Sequence, residues 1–299
     1  MTTSTLPSLN PRAATCFIHL RLSPPPPPPN RRHIFIHSAS KKLLPIKAAA
    51  FPAAGGGALL LQDAAATAVV TGGAYALVST FDYLTDRNII QQKLSRKLVH
   101  ILSGLLFMVS WPIYSTSTEA RYIASIVPFI NCLRLIIYGF SMAIDEGRLT
   151  KSLTREGKPE ELLKGPFYYV LVLIVSALVF WRESPVGVIS VAMMCAGDGI
   201  ADIVGRRFGS LKLPYNQEKS FAGSISMFAF GFLVSVGMLY YFAAFGFIDL
   251  SWDRTIKRVA LIALLATLVE SLPTSSLVDD NISVPLASMI TALLTFQDQ

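Results

Sequence analysis

Two aspartates in one apolar segment are the residues of this sequence best placed to perform chemistry. Asp198 and Asp202 lie within the run CAGDGIADIVGRRFG, residues 195–209. On an α-helix they share an arc of about 100° with three small residues, which are Ala201, Gly205 and Gly209. Small residues let a phosphate approach a helix, and carboxylates bind Mg²⁺ on that phosphate. The spacing therefore favours a site for a phosphate and its metal.

The same run has a structural alternative. Gly205 and Gly209 have the small-xxx-small spacing that lets two membrane helices pack closely. A carboxylate within a membrane span costs about 2.5–3.5 kcal/mol on insertion scales, so its presence there needs a reason. Two such acids next to two bases, Arg206 and Arg207, favour a functional role over helix packing alone.

Polar residues in two later segments are further candidates for this site. The run KSFAGS, residues 219–224, offers the Lys219 ammonium for a phosphate, and the backbone N–H groups of Gly223 and Ser224 at a helix start. It is not a P-loop, because the pattern GxxxxGK[ST] does not occur in the sequence. A second carboxylate group, which could supply a second metal contact, consists of Glu270 near the end of a late apolar run and of Asp279 and Asp280 after it.

His100 is the single histidine beyond residue 62, in the run SRKLVH. Zinc sites built on several histidines are therefore excluded for that part of the chain, and Cys132 and Cys195 form no CxxC motif. A catalytic metal would have to be held by carboxylates, which indicates magnesium. A lone histidine at the edge of a span is commonly structural, but its side chain is also a candidate general base.

Hydropathy predicts an all-α integral membrane protein that positions these residues on helices. Hydrophobic residues make up 52% of the chain and charged residues only 15%, against about 25% charged in soluble domains. Apolar runs of spanning length predict a bundle of about six to eight transmembrane helices. The runs are 65–81, 98–114, 122–142, 166–182, 185–204, 224–248, 257–272 and 282–297.

Loop charges predict which helix ends share a side of the membrane. The loops after the first, third and fifth spans carry four, five and four Lys or Arg, whereas those after the second and fourth carry one each. The loop after the sixth span, with three, is an exception. The positive-inside rule places the basic loops together on the side of insertion, along with Asp279 and Asp280. That face suits a nucleoside triphosphate and its metal; alternatively, the basic loops only set the topology.

Residues 1–60 have the composition of a transit peptide, leaving 61–299 as the membrane domain. Residues 1–62 contain seven Lys or Arg and no acid, so they account for the whole formal charge of +7. The remainder is neutral, which argues against nucleic-acid binding. The proline run 24–29 interrupts the amphipathic helix of a mitochondrial signal and favours chloroplast import. A disordered cytosolic tail is the alternative.

Seven stretches of the chain carry a family resemblance. They are SRKLVHILSG from Ser95, STEARY from Ser117, TREGKPEELLKGP from Thr154, FWRESP from Phe180, GDGIADIVGRRFGS from Gly197, KSFAGSISMF from Lys219 and DDNISVPLAS from Asp279. Together they resemble the polyprenol kinase family, specifically its plant phytol kinase and farnesol kinase branch. The glycine pattern is similar to one in dolichol kinases and CDP-diacylglycerol synthases, where it is associated with CTP. Phe221 stands where the resemblance leads us to expect tryptophan.

The resemblance implies a multi-pass chloroplast membrane enzyme that transfers the γ-phosphoryl group of CTP to a prenyl alcohol. With phytol, the product would be phytyl phosphate for tocopherol synthesis. It implies Mg²⁺ as cofactor, with ligands drawn from Asp198, Asp202, Asp279 and Asp280. His100 would take the alcohol proton, and Lys219 would contact a phosphate beside Asp198. The implied nucleotide contacts are Ala201, Gly205, Arg206, Arg207, Gly209, Gly223 and Ser224.

Other functions remain open on the sequence. A farnesol or geranylgeraniol kinase would share every motif, because tail length is recognised by the shape of a groove. A CDP-lipid synthase-like cytidylyltransferase would share the glycine pattern but release pyrophosphate. A transporter would also bury charged residues within its spans. The sequence does not decide between the envelope and the thylakoid, or the oligomeric state.

The composition of residues 1–60 generates a prediction about targeting. Because this segment is basic, free of acids and broken by prolines, we expect it to deliver a fused fluorescent protein to plastids. Microscopy of plant cells expressing the fusion measures this, with the unfused fluorescent protein as control. Fluorescence confined to mitochondria or the cytosol would contradict the prediction.

Overall fold

The structure, a computed structural model, describes residues 56–140, 153–154, 158–273 and 278–297. The predicted transit peptide lies outside the described residues apart from its last five, which begin the first helix at Gly56. Most of the charged loop 143–165 also lies outside them. Whether residues 1–60 are removed therefore stays a prediction.

Eight helical segments form the described part of the chain. They are α1 (Gly56–Asp86), α2 (Gln92–Ser110), α3 (Ala120–Phe140), α4 (Pro159–Phe180), α5 (Pro185–Phe208), α6 (Phe221–Ala244), α7 (Trp252–Ser271) and α8 (Asp280–Thr295). A 3₁₀ turn, Trp111–Ile113, follows α2. A short antiparallel hairpin of β1 (Lys212–Leu213) and β2 (Asn216–Ser220) joins α5 to α6, where the hydropathy pattern predicts only a loop.

The predicted all-α membrane fold is confirmed. Each of the eight predicted spans overlaps one of these helices. Among the described residues, five helices are long and apolar enough to cross a membrane: α1, α3, α4, α5 and α6. Their outward faces carry exposed large apolar side chains such as Val69, Ile137 and Leu233, as expected of surfaces that contact lipid.

Helix α5 is the centre of the bundle. In its most apolar 18-residue window, 83% is buried, against 17% for α1. The helix is continuous but not uniform, because a π-helical segment, Met193–Asp198, separates α-helical parts at Pro185–Ala192 and Gly199–Phe208. Such π-helical turns are rare and occur frequently at functional sites. This one ends at Asp198, the first of the two predicted site aspartates.

Glycines allow α5 and α6 to approach closely. A methyl group added at Gly205 would lie 3.2 Å from Ser220 Oγ and 3.6 Å from the Cα of Gly223. At the next crossing, Gly197 faces the Cα of Gly231 at 3.5 Å by the same measure. The small residues therefore do allow two helices to pack closely, as the structural alternative predicts. This does not exclude a functional role, because the close packing of α5 and α6 also shapes the cleft described below.

At one end of the bundle, a buried arginine ties several elements together. Arg182, which follows α4, donates hydrogen bonds to the carbonyl oxygens of Trp111, Tyr114 and Ser115 at 3.0, 2.9 and 2.5 Å. The backbone N–H and the hydroxyl of Ser115 in turn donate to the buried Asp63 carboxylate of α1. Arg182 is the one base that the sequence analysis counted in the loop after the fourth span, and the structure buries it with 2% of its surface exposed.

Removal of this guanidinium generates a stability prediction. Arg182→Met leaves three buried carbonyl oxygens without their donor, so we expect the free energy of unfolding to fall by about 2–4 kcal/mol. Thermal unfolding of the purified protein in detergent measures this. Arg254→Met is the matched control, because Arg254 is exposed and its Nε bonds only Ser251 three residues away. Equal midpoints for the two variants would contradict the prediction.

Candidate active site

A polar cleft of about 500 Å³ opens at the end of the bundle opposite Arg182. It lies where the start of α2, the end of α5, strand β2, the end of α7 and the start of α8 meet. Ten of the predicted site residues line it. They are Asp198, Ala201, Asp202, Gly205, Arg206, Lys219, Gly223, Ser224, Asp279 and Asp280. The structure thus brings together candidates that are more than eighty residues apart in the chain.

Three carboxylates converge in the cleft. One oxygen each of Asp198, Glu270 and Asp280 lies within 4.8 Å of the other two. Asp198 and Glu270 are both buried, and Glu270 Oε2 makes no hydrogen bond within the described part of the chain. Hard oxygen ligands converging at this spacing fit Mg²⁺. Two of the predicted metal ligands, Asp202 and Asp279, line the same cleft but lie outside this group of three.

Two lysines neutralise these carboxylates. Lys97 Nζ donates to Asp198 Oδ2 at 2.8 Å. Lys219 Nζ donates to Glu270 Oε1 and, at 2.9 Å, to Asp280 Oδ2. Burial lowers the pKa of Lys219, but the charges of Glu270 and Asp280 outweigh it and raise that pKa above its usual range. Lys219 is therefore a permanent cation in the cleft.

Of the last three predicted nucleotide contacts at the end of α5, Arg206 lines the cleft, whereas Arg207 and Gly209 are not among the residues that line it. Arg206 Nη2 pairs with Asp202 Oδ2 at 2.8 Å, one helical turn apart at the edge of the cleft. Arg207 is exposed and lies over the Phe208 ring at 5.6 Å. Gly209 ends α5, where an added methyl group would meet Ser220.

A smaller, more apolar cavity of about 70 Å³ adjoins the cleft. It lies between α1, α2, α3 and α4, with side chains such as Val78, Val99, Leu135 and Val170 in its wall. Three residues line both spaces, namely Arg96, Lys97 and Asn281. An apolar space thus meets a charged one at a border made by α2 and the first turn of α8.

His100 lines the apolar cavity rather than the cleft. Its Nε2 lies 3.0 Å from the carbonyl oxygen of Met194 and 3.7 Å from Asp198 Oδ2. Because a carbonyl only accepts, Nε2 carries the proton and Nδ1 is the acceptor. The Tyr169 ring packs on the imidazole at 4.4 Å, and its hydroxyl donates to the His100 carbonyl oxygen at 2.9 Å.

A third, charged cavity of about 370 Å³ flanks the cleft. Lys158, Lys164 and Arg96 line it together with Glu160 and Glu161. The sequence suggests that the segment from Lys151 to Lys158 could close over a nucleotide. Of that segment, residues 151–152 and 155–157 lie outside the described residues. Arg96 lines all three cavities, so the three adjoin one another at this side chain.

Seven residues that line the cleft are missing from the predicted site, among them Lys97, Glu270 and Asn281. Lys97 precedes His100 by three residues and so shares its helix face, but a base at the edge of a span commonly serves only as an anchor. Glu270 belongs to the carboxylate group that the sequence offers as a second metal contact, but it is not among the four residues predicted as ligands. Asn281 follows the predicted Asp279 and Asp280 directly. In the sequence, each of these three is a polar residue at the edge of an apolar run, which is the signal that could have identified it.

Comparison with known proteins decides the family. The chain is 69% identical over 227 residues to a probable phytol kinase 1, chloroplastic, from Glycine max, covering 76% of this chain and 75% of that protein. It is 62% identical over 227 residues, with 76% and 74% coverage, to phytol kinase 1, chloroplastic, from Arabidopsis thaliana. A probable phytol kinase, chloroplastic, from Zea mays is 61% identical, with 76% and 75% coverage.

The chain belongs to the chloroplastic phytol kinase family. The resemblance stated from the sequence is therefore confirmed, and with it the assignment as a membrane enzyme of the kinase class in the chloroplast. No protein-family model and no solved structure matches the chain.

The half-buried cation of the cleft, Lys219, generates a prediction. Lys219→Met leaves Glu270 and Asp280 without their ammonium partner, so we expect a loss of about 3–5 kcal/mol in the free energy of unfolding. Adding Glu270→Gln to that variant removes one uncompensated charge and should restore part of the loss. Thermal unfolding in detergent tests both, and Lys212→Met, which removes an exposed base from the same cleft, is the control. A double variant less stable than Lys219→Met would refute this coupling.

Proposed function

We propose that this protein transfers the γ-phosphoryl group of CTP to the hydroxyl of phytol, with Mg²⁺, and that the phytyl phosphate formed feeds tocopherol synthesis. One observation carries the proposal: a cleft of buried carboxylates and cations shares a wall with an apolar cavity inside a membrane bundle. A kinase for a lipid alcohol needs both environments in contact, one for each substrate. The names of the relatives agree with phytol as the alcohol.

On the polar side, the residues present fit a nucleotide and its metal. Asp198, Glu270 and Asp280 are the proposed ligands of Mg²⁺, which would neutralise phosphate charge when bound. Asp202 and Asp279 lie beside them and are the proposed outer contacts. Lys219 and Arg206 are the proposed phosphate contacts, and Ser224, whose Oγ is buried without a partner among the described residues, is a further one. Phosphoryl transfer depends mainly on such positioning and charge neutralisation.

On the apolar side, the cavity receives the hydroxyl-bearing end of the alcohol. Its volume of about 70 Å³ is about a seventh of that of the cleft. The rest of a long prenyl chain would then leave the cavity between the helices and lie in the bilayer. His100, which lines the cavity, is the proposed acceptor of the hydroxyl proton through Nδ1.

Product analysis tests the reaction. Purified protein in detergent, given phytol and each nucleoside triphosphate in turn, should form phytyl monophosphate and the nucleoside diphosphate, fastest with CTP. A CDP-lipid with pyrophosphate would instead identify a cytidylyltransferase. Turnover without a sealed compartment also excludes a transporter. Farnesol and geranylgeraniol, supplied in place of phytol, measure how far the tail is recognised.

Asp198 supplies the decisive variant. Asp198→Asn keeps the size of the side chain but removes the charge that faces the metal, so we expect turnover to fall about 10²–10³-fold. CTP-dependent phosphorylation of phytol, at matched amounts of folded protein, measures this. Glu218→Gln is the control, because this exposed carboxylate lines the cleft outside the group of three. Near-normal turnover of Asp198→Asn at saturating CTP and Mg²⁺ would exclude Asp198 as an essential metal ligand. The motif would then serve only in helix packing.

A further inference from the structure

The hydroxyl of the alcohol must lie at the border between the two cavities. On the proposed function, the first carbons of the alcohol enter the apolar cavity, and the phosphoryl group that the hydroxyl attacks enters the cleft. Reacting atoms must be held about 3–3.5 Å apart. The residues that line both spaces, Arg96, Lys97 and Asn281, are therefore the ones placed to touch that hydroxyl.

Of these three, only Asn281 can accept a hydrogen bond from the hydroxyl. Guanidinium and ammonium groups have donors and no acceptor. Lys97 is moreover engaged by Asp198 at 2.8 Å. The amide of Asn281 has both a donor and an acceptor, so its orientation decides what it offers.

Asp279 sets that orientation. Asn281 Nδ2 donates to Asp279 Oδ1 at 2.7 Å, and the Asn281 backbone N–H donates to the same oxygen at 2.9 Å. Because an ionised carboxylate only accepts, the amide nitrogen must face Asp279 and Oδ1 must face away from it. The reverse rotamer would set two oxygens against each other.

Asn281 Oδ1 is buried and accepts no hydrogen bond from the residues that the structure describes. Buried acceptors are nearly always satisfied, so such an atom needs an explanation. The side chain is also held tightly from the α4 side. A methyl group added at Gly165 would lie 3.1 Å from Asn281 Nδ2 and 3.5 Å from Asp279 Oδ2. Gly165, where the α-helical part of α4 follows its first 3₁₀ turn, therefore leaves room for this amide.

We propose that Asn281 Oδ1 accepts the hydrogen bond of the substrate hydroxyl and aims its oxygen at the γ-phosphorus. This rests on the proposed function. In the transfer, a bond forms between the alcohol oxygen and the γ-phosphorus, the bond from that phosphorus to the β,γ-bridging oxygen breaks, and CDP leaves. The hydroxyl carries one proton, so its hydrogen bond to Asn281 positions the alcohol before reaction. As the bond to phosphorus forms, the O–H turns from Asn281 to a base, for which His100 Nδ1 is the candidate, and that base takes the proton. Asn281 binds and orients the alcohol.

The test compares two asparagine-to-leucine variants. Asn281→Leu removes the acceptor at the border, whereas Asn131→Leu makes the same change in the wall of the apolar cavity away from the cleft. For Asn281→Leu we expect kcat/KM for phytol to fall about 10–100-fold. The KM for CTP and the slow hydrolysis of CTP without alcohol should stay within about twofold of wild type. Asn131→Leu should lower kcat/KM for phytol by less than Asn281→Leu does.

A substrate analogue keeps the test independent of folding defects. Wild-type protein should bind phytol at least about tenfold more tightly than the hydrocarbon that lacks the hydroxyl. Asn281→Leu should bind the two alike, while Asn281→Ser, which keeps an oxygen acceptor, should regain part of the discrimination. An unchanged kcat/KM for phytol, or an equal loss in CTP hydrolysis, would overturn the proposal. Wild-type protein that phosphorylates no prenyl alcohol would instead refute the proposed function.

Discussion

A carboxylate buried at the end of the central helix is the constraint on which the rest of this structure depends. Moving an ionised group out of water costs several kcal/mol unless it is paired. Asp198 is paired by Lys97 at 2.8 Å, and His100 lies 3.7 Å away. Both partners come from α2, so neutralising this one charge requires α2 to pack against α5. The apolar cavity and the cleft then lie on either side of that contact.

The same requirement extends to α7 and α8. Glu270 and Asp280 lie close enough to Asp198 to repel it, and Lys219 offsets that repulsion. Lys219 lies on β2, one residue before the Ser220 that caps α6. The short hairpin thus has a structural role, because it holds the Lys219 ammonium between the end of α7 and the start of α8.

Close packing and polar chemistry depend on the same residues here. Gly205 and Gly223 let α5 and α6 approach, and both also line the cleft. A larger side chain at either position would separate the helices and narrow the space for a phosphate. At the other end of the bundle, Arg182 and Asp63 connect α1, the turn after α2 and the segment after α4 through buried hydrogen bonds. That end holds the helices together, while the cleft end remains open to solvent.

The sequence by itself determined the fold class, the positions of all eight helices and most of the cleft. It could do so because hydropathy acts over local runs, and because Asp198, Ala201 and Asp202 are close in sequence on one helix. Strings of matching residues also identified the family. Only the tertiary structure selected Glu270 as the partner of Asp198 and Asp280, and placed Lys97 and Asn281 at the border. Only it set Arg207 and Gly209 apart from the cleft. These outcomes depend on how distant helices rotate and pack against one another, which no local pattern specifies.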